Sequence, residues 1–188
     1  MNRNALLLAG AFMLLAGSAH AENWSIGSNL GLSDLHPKHG GDALVVFGAP
    51  SSPGVIVPTF QPGLRLGASS KGGEFETYFD TGLTVFSSSS STVTGYQLTA
   101  NLQYNFGARS STNPFLTFGG GVMGQSYSEG NNNSNPIWGG GLGVRQRVAG
   151  NHGDVRVEFR YDSISEDKQG FEGGTLYGVK IGFDLWMR

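Results

Sequence analysis

Two short segments of the sequence match motifs that carry chemistry in other proteins. Residues 119–124 (GGGVMG) fit the G-x-G-x-x-G pattern of dinucleotide sites, in which a following helix receives the pyrophosphate. Here QSYS and an asparagine-rich run follow, so we interpret these glycines as part of a β-strand. Residues 165–168 (SEDK) fit S-x-x-K, but the companion motifs of that catalytic site are absent, which indicates a polar loop.

Two histidines, His36 and His39, could bind a metal ion or act as a catalytic base. A metal site needs further ligands, which the surrounding residues do not supply. A base needs a nucleophile oriented against it, and the serines of 87–91 are the candidates that the sequence offers. We predict a solvated loop here, with no metal site, no cofactor and no catalytic residues.

Charged and amide side chains recur at every second position, a spacing that places them on one face of a β-strand. Residues 155–162 (VRVEFRYD) alternate apolar with charged residues, and residues 95–107 (GYQLTANLQYNFG) alternate apolar residues with amides and a threonine. Alternation alone does not tell which face meets water. In a soluble sandwich the apolar face packs on a core, whereas in a membrane barrel it contacts lipid.

Eight segments of this kind follow one another along the chain, and their connections alternate in character. We predict strands at 23–33, 60–69, 74–86, 95–107, 114–126, 137–148, 155–162 and 175–187. The connections at 70–73, 107–113 and 149–154 are short, whereas those at 34–59, 87–93, 127–136 and 163–174 are mostly longer and polar. Short turns at one end and longer loops at the other are typical of membrane β-barrels.

The N-terminus and the composition set the cellular context. Arg3, an apolar run over 5–17 and an A-x-A site at 19–21 predict a signal peptide at 1–21 and a single mature domain at 22–188. The mature chain has no apolar run near the 18 or more residues of a spanning helix. The formal charge is −2 without a basic patch, which argues against binding to nucleic acid.

Aromatic and charged residues indicate which face of the strands contacts lipid and which faces the lumen. Six aromatic residues near strand ends are expected to form an aromatic girdle at the two membrane interfaces, namely Trp24, Tyr96, Tyr104, Phe106, Trp138 and Tyr177. Charges on the other face are expected to pair inside the lumen, because cations at the bilayer midplane cost about 2–4 kcal/mol each. This predicted lumen ion-pair network contains Arg65, Glu76, Asp80, Arg145, Arg147, Arg156, Glu158, Arg160, Lys180 and Asp184.

Two finer expectations concern the inside of such a barrel. The third and seventh strands are opposed in an eight-stranded barrel, so Glu76 and Asp80 are expected to face Arg156 and Arg160. Glycine is frequent, at 31 of 188 residues, and inward-facing glycines would leave room for long arginines in a lumen just wide enough for side chains.

Taken together, the sequence resembles the small eight-stranded outer-membrane barrels, the OmpA/OmpX-type transmembrane domains. The resemblance covers 22–188 and rests on the export signal, on residues 113–116 (NPFL) before a glycine-rich strand, on 157–161 (VEFRY) and on the amphipathic last strand. It implies an all-β fold, an eight-stranded antiparallel up-and-down transmembrane barrel. One departure is that Met187, not an aromatic residue, is the last lipid-facing residue, because Trp186 lies in the other phase.

This reading predicts a monomeric protein of the cell outer membrane that contacts membrane lipid and lipopolysaccharide. Its role would be structural, in envelope integrity or in surface binding, exerted through the extracellular loops. The apolar segments within 42–57 form a possible partner site, or else extend the first two strands beyond the membrane. Two alternatives remain open, a narrow ion-conducting pore gated by lumen ion pairs and a lipid A-modifying enzyme.

Overall fold

The computed structural model describes residues 23–38, 43–46, 63–87, 92–127, 132–166 and 173–187. The predicted signal peptide at 1–21 lies outside these residues and stays a prediction, as does the start of the mature domain at Glu22. Within the part of the chain that is described, no helix is long and apolar enough to cross a membrane.

The described residues form nine β-strands, joined at one place by a 3₁₀ turn, Ala149–Asn151. The strands are β1 (Asn23–Pro37), β2 (Ala43–Val46), β3 (Gly63–Ser69), β4 (Phe75–Ser87), β5 (Thr92–Asn105), β6 (Thr112–Tyr127), β7 (Asn132–Val148), β8 (Gly153–Ile164) and β9 (Gly174–Met187). All neighbours pair antiparallel, and β1 pairs with β9 from Trp24 opposite Met187 to Pro37 opposite Gly174, which closes the sheet into a barrel.

Nine strands fill only eight positions in the wall, because β2 and β3 share one. β3 pairs with the first half of β1, from Asn23 to Asn29, and β2 pairs with the same edge further on, from Leu32 to Leu35. The apolar segment at 43–46 therefore extends the wall, as one reading of the sequence proposed. The rest of that segment, from 47 to 57, lies outside the described residues, and so do 60–62 at the start of the predicted second strand.

The exterior of the barrel is apolar and its interior is polar. On β5, Leu98 and Leu102 are 41% and 45% exposed, whereas the inward-facing side chains of the same strand are buried. Those buried side chains are Gln97, Thr99, Asn101, Gln103 and Asn105. A protein core around the leucines is thereby excluded, and the alternation predicted for GYQLTANLQYNFG has its amides in the lumen, as in a transmembrane barrel.

Short turns connect the strands at the end that holds Asn23 and Met187, called here the short-turn end. In the β3–β4 turn, Gly73 has φ +72° and donates from its N–H to the Ser70 carbonyl over 2.8 Å. Gly107 has φ +62° in the β5–β6 turn, where Asn113 caps its carbonyl. Glycine adopts this left-handed conformation at no steric cost, so both turns can be tight. The opposite end, where the longer connections lie, is called the loop end.

Residues 119–124 lie inside β6, which runs unbroken from Thr112 to Tyr127. A dinucleotide site would require a helix after these glycines, and β-strand continues through them instead. The strand also resolves the phase that the glycines hide in the sequence, since Phe115 and Met123 are buried whereas Leu116 and Phe118 are exposed.

Candidate functional site

The lumen concentrates the charged and amide side chains that could carry a function. At its centre Arg65 is fully buried, and its Nη2 lies 2.6 Å from Glu76 Oε1 and 3.1 Å from Gln103 Oε1. The Arg65 guanidinium also stacks over the ring of Tyr78, with its carbon 3.3 Å from the ring centroid. Ion pair, amide and aromatic face together replace the water that a buried guanidinium has lost.

Glu76 extends this contact across the barrel. Its second oxygen, Oε2, lies 3.3 Å from Nη1 of Arg145 on β7, and Arg145 Nη1 is 3.4 Å from Asp154 Oδ2 on β8. Trp186 on β9 donates from its indole nitrogen to the same Asp154 oxygen over 2.6 Å. Side chains of five strands are therefore linked in one chain of contacts near the short-turn end.

A second group of contacts joins the seam between β1 and β9. Arg156 on β8 donates to Asp184 on β9 over 2.5 Å and to the Asn29 side chain on β1 over 2.7 Å. Asn29 in turn donates to Asp80 on β4 over 2.7 Å. Because Arg65 Nε also lies 3.5 Å from Asp184 Oδ1, the two groups form one network.

Towards the loop end the ion pairs are more local. Arg160 donates to Asp162 over 2.9 Å and lies 3.6 Å from Glu158, and all three residues belong to β8. Glu158 also accepts a 2.5 Å hydrogen bond from Thr117 on β6. Lys180 reaches across to the other wall, with its Nζ 3.7 Å from Asp80 Oδ2.

Nine of the ten residues predicted for the lumen network thus take part in described ion pairs inside the barrel. The tenth, Arg147, lies at the short-turn mouth, where it donates to the carbonyl of Ala108. Their roles as a network remain a proposal, but their positions follow from the alternation of each strand.

The described ion pairs give Glu76 and Asp80 partners other than Arg156 and Arg160, the residues that they were expected to face. Glu76 pairs with arginines of β3 and β7 rather than with Arg156, and Asp80 contacts β1 and β9 rather than pairing with Arg160. Strands in a barrel tilt and their register is staggered by the shear. Which inward-facing charges form an ion pair therefore depends on this stagger, which the spacing within one strand does not reveal.

Glycines give the large polar side chains their room. A Cβ atom placed at Gly182 would lie 2.4 Å from Arg156 Nη2, and one placed at Gly141 would lie 2.4 Å from Glu158 Oε1. Any larger residue at these positions would displace the ion pairs. This agrees with the expected use of inward-facing glycine.

An apolar cluster inside the barrel was missed by the sequence reading. Met123, Ile137, Ile164 and Leu176, from β6, β7, β8 and β9, are buried together towards the loop end. The signal was present, since Ile164 has the same parity as Arg160 and Asp162 on its strand. It was overlooked because each residue stands near a segment end, where the alternation is hard to extend.

Two cavities lie at opposite ends of the lumen and share no lining residue. The one towards the loop end is small, about 40 Å³, and Asp80 and Lys180 line it. The one at the short-turn end is about 610 Å³ and opens beside Trp186. Between them lie Arg65, Glu76 and Tyr78, each at most 1% exposed, so buried side chains separate the cavities.

The candidate catalytic histidine lies on the exterior at the loop end. His36 Nε2 is 2.7 Å from the Tyr177 hydroxyl and 3.2 Å from Asp34 Oδ2, and its ring stacks on that of Tyr177 at 4.9 Å. His39 and the serines 88–91 lie outside the described residues. Among the described residues, no three or more histidine and carboxylate side chains are grouped so that they could hold a metal ion.

Aromatic residues predicted for the girdle all lie on the outer surface, in two groups. Trp24, Tyr104 and Phe106 are at the short-turn end, where Tyr104 contacts Phe106 and also Phe75, which the sequence reading left out. The remaining three are at the loop end, namely Tyr96, Trp138 and Tyr177. The two groups bracket the apolar band, as amphipathic rings do at both interfaces of a bilayer.

Solved structures share this architecture. Neisserial surface protein A (NspA) superimposes with a TM-score of 0.61 at 14% identity, over 86% of this chain and 96% of that protein. Ail, the attachment invasion locus protein of Yersinia pestis, gives a TM-score of 0.53 at 11% identity, over 88% and 98%. Both confirm the predicted fold, that of a small eight-stranded outer-membrane barrel. No protein-family model and no curated protein sequence matches the chain.

Proposed function

We propose that this protein is a closed outer-membrane barrel whose role is exerted through its outer loops, in surface binding or envelope integrity. The observation that carries the proposal is the filled lumen, where fully buried ion pairs separate the two end cavities. With the lumen closed, the parts free to meet another molecule are the two ends. Outer-membrane barrels place their longer loops outside the cell and their short turns in the periplasm.

The filled lumen argues against the pore alternative. Arg65 and Glu76, which are 2.6 Å apart and at most 1% exposed, lie between the two end cavities and obstruct an ion there. Separating these two charges would lose their attraction inside the protein, where it is stronger than in water. Rare openings would not sustain the steady conductance of a porin.

Contacts of His36 bear on the enzyme alternative. A serine nucleophile needs a base oriented against its hydroxyl. His36 is stacked on Tyr177 and lies close to Asp34, on the outward face of β1, and the serines 88–91 lie outside the described residues. Fold alone does not assign chemistry, so the lipid A-modifying enzyme is kept as an outcome of the tests rather than as the proposal.

The apolar band supports lipid as the partner of the barrel wall. Phe118, Leu142 and Leu83 are each more than half exposed, which in water would form an adhesive surface. In a bilayer, lipid covers the apolar band and keeps it from water. We extend the proposal to lipopolysaccharide at the loop end and to a further surface partner at 42–57, of which only Ala43–Val46 is described.

Cysteine-scanning crosslinking in intact cells tests the proposal, and the chain has no cysteine of its own to interfere. Ser88→Cys and Asn131→Cys place a thiol in two outer connections, and Ser110→Cys in a short turn serves as the matched control. A membrane-impermeant crosslinker is expected to capture partners from the first two variants only. Two results together would refute the binding role. The cysteine variants of the outer connections would capture no more than the control does, and deletion of 42–57 would leave the captured proteins unchanged.

Planar-bilayer recording tests the closed lumen separately. We expect no steady single-channel conductance from the purified protein. A conductance that shifts in Glu76→Gln or Arg160→Gln would establish the pore instead. Mass analysis of lipid A from cells with and without the protein, and with His36→Ala, addresses the enzyme, for which we expect no change.

A further inference from the structure

The cavity at the short-turn end, called here the vestibule, is lined by an excess of cations. It measures about 610 Å³, the size range of pockets that hold organic ligands. The charged residues of its lining are Lys71, Arg109, Arg145, Arg147 and Asp154. Among the residues that the structure describes, four cations and one carboxylate therefore line the vestibule, in a protein whose formal charge is −2 overall.

Three different parts of the chain bring these cations together. Lys71 lies in the β3–β4 turn, Arg109 in the β5–β6 turn, and Arg145 with Arg147 on the inward face of β7. The arginines of β7 are positioned by the barrel, since Arg145 is buried between Glu76 and Asp154 and Arg147 donates to the Ala108 carbonyl. A concave wall lined by one sign of charge focuses the potential inside it.

Among the described lining residues, the single carboxylate offsets only one of the four positive charges. Asp154 is 1% exposed and already accepts the Trp186 indole N–H at 2.6 Å while lying 3.4 Å from Arg145. Glu76 lies deeper and is shared between Arg65 and Arg145. Arg145 Nε, although buried, has no hydrogen-bond partner among the described residues.

We propose that the vestibule binds a small organic anion that carries carboxylate or phosphate groups. Guanidinium groups match the planar carboxylate and the phosphate through paired N–H donors, which makes arginine the usual residue for such recognition. Trp186 supplies a flat, half-buried wall for the organic part of the ligand. In the orientation typical of outer-membrane barrels the vestibule opens to the periplasm, so the anion enters from there.

An anion with a carboxylate or phosphate group could be the headgroup of a phospholipid or a molecule dissolved in the periplasm. The vestibule lies inside the ring of strands, whereas headgroups surround the ring on its lipid side. Trp186, which lines it, belongs to the inward-facing set with Asp184, in contrast to Met187, which is exposed on the exterior. This position favours a dissolved anion.

Trp186 makes binding measurable in the intact barrel. Trp24→Phe and Trp138→Phe remove the two tryptophans of the lipid face and leave Trp186 as the only indole. In nanodiscs of pure phosphatidylcholine, we expect citrate and inorganic phosphate, each added at constant ionic strength, to change Trp186 emission in a saturable way. Binding should weaken as salt is raised, because mobile ions screen exposed charges.

Charge-neutralising variants test whether the change in Trp186 emission comes from binding in the vestibule. Arg109→Gln, on an exposed turn where folding is little affected, is expected to weaken binding about tenfold, the worth of one charge-assisted hydrogen bond. Lys38→Gln at the loop end is the matched control and should leave the affinity unchanged. Circular dichroism of each variant confirms that the barrel is intact.

Three outcomes would overturn the proposal. These are no saturation with either anion, an equal signal from the neutral solute sucrose, and an affinity that Arg109→Gln leaves unaltered. Nanodiscs containing phosphatidylglycerol distinguish the two sources. If they saturate the signal before any soluble anion is added, the bound anion is the lipid headgroup; if citrate still titrates normally, it is a dissolved anion.

Discussion

The two halves of the lumen are built differently. Near the short-turn end, Glu76 on β4 joins Arg65 of the neighbouring β3 and Arg145 of β7, so one of its two ion pairs ties strands that are not neighbours. Towards the loop end, Arg160 finds its carboxylates on its own strand, and four apolar side chains from β6 to β9 fill the remaining space. The first half is held mainly by charges that several strands share. The second is held by ion pairs within β8, by the longer contact between Lys180 and Asp80, and by apolar packing.

The two halves should therefore differ in how strongly the stability of the barrel depends on a single residue. Glu76 serves two buried guanidinium groups at once, and without it each keeps only a longer contact, Arg65 to Asp184 at 3.5 Å and Arg145 to Asp154 at 3.4 Å. Asp162 is the carboxylate of one arginine, which also has Glu158 at 3.6 Å. Replacing a buried pair by apolar residues can be neutral, but removing one partner leaves a charge without compensation. Stability should therefore respond much more strongly at the centre of the network than elsewhere.

The largest effect is expected from Glu76→Gln. It leaves Arg65 and Arg145 without their shared carboxylate and should lower the free energy of unfolding by about 3–5 kcal/mol. Urea unfolding of the protein in lipid vesicles measures this. Glu74→Gln, an exposed glutamate two residues away, is the matched control and should change stability by no more than about 0.5 kcal/mol. Equal losses would show that the network does not hold the barrel.

Asp162→Asn is expected to cost less, about 1–3 kcal/mol, because it weakens a charge-assisted hydrogen bond without stranding its partner. Arg160 keeps Glu158 at 3.6 Å, and the new amide oxygen can still accept. The same unfolding experiment gives the number. A loss as large as that of Glu76→Gln would erase the distinction between the two halves.

Ile137→Val probes the apolar part of the loop-end half. Removing one buried methylene from the cluster with Met123, Ile164 and Leu176 should lower stability by about 0.5–1.5 kcal/mol. Ile26→Val on the lipid face is the control, because lipid can fill the space that a methyl group leaves. If both variants lose the same amount, the cluster is no better packed than the membrane surface.

The smallest effect is expected at the exposed pair between Lys38 and Glu166. Both side chains are more than half exposed, and surface ion pairs contribute about 0.2–1 kcal/mol. Lys38→Gln should therefore shift stability by no more than this, and high salt should abolish the difference from the wild type. A larger, salt-resistant loss would mean that the loop end is held by charge as the short-turn end is.

The alternation of side chains was sufficient to predict much of this architecture. Period-two patterns located eight wall positions, and in β5 they assigned every residue from Tyr96 to Asn105 to its correct face. For residues 119–124 the sequence did not show which positions face inward, because the glycines there have no side chain to mark a face. One interpretation of the apolar segment within 42–57 was that it extends the first two strands, and Ala43–Val46 does extend the wall beside β1.

The partners inside the lumen could not be predicted in the same way. Which charges meet depends on the stagger of the closed barrel and on the reach of each side chain, and neither is encoded in the spacing within one strand. Arg145 illustrates the point, since its partners come from β4 and β8. The vestibule was missed for a related reason, because its cations are 38 residues apart in sequence from Lys71 to Arg109 and meet only when the turns gather at one end.

The divided wall position of β2 and β3 makes this barrel suited to carrying foreign sequence. Sixteen residues, 47–62, connect the two strands, although only Leu30 and Gly31 of β1 lie between their pairing partners. Both strands take their register from β1, so the wall does not rely on the length of the connection. Doubling the length of a flexible loop costs only about 0.6 kcal/mol. A peptide epitope inserted within 47–62 should be displayed without loss of the barrel fold.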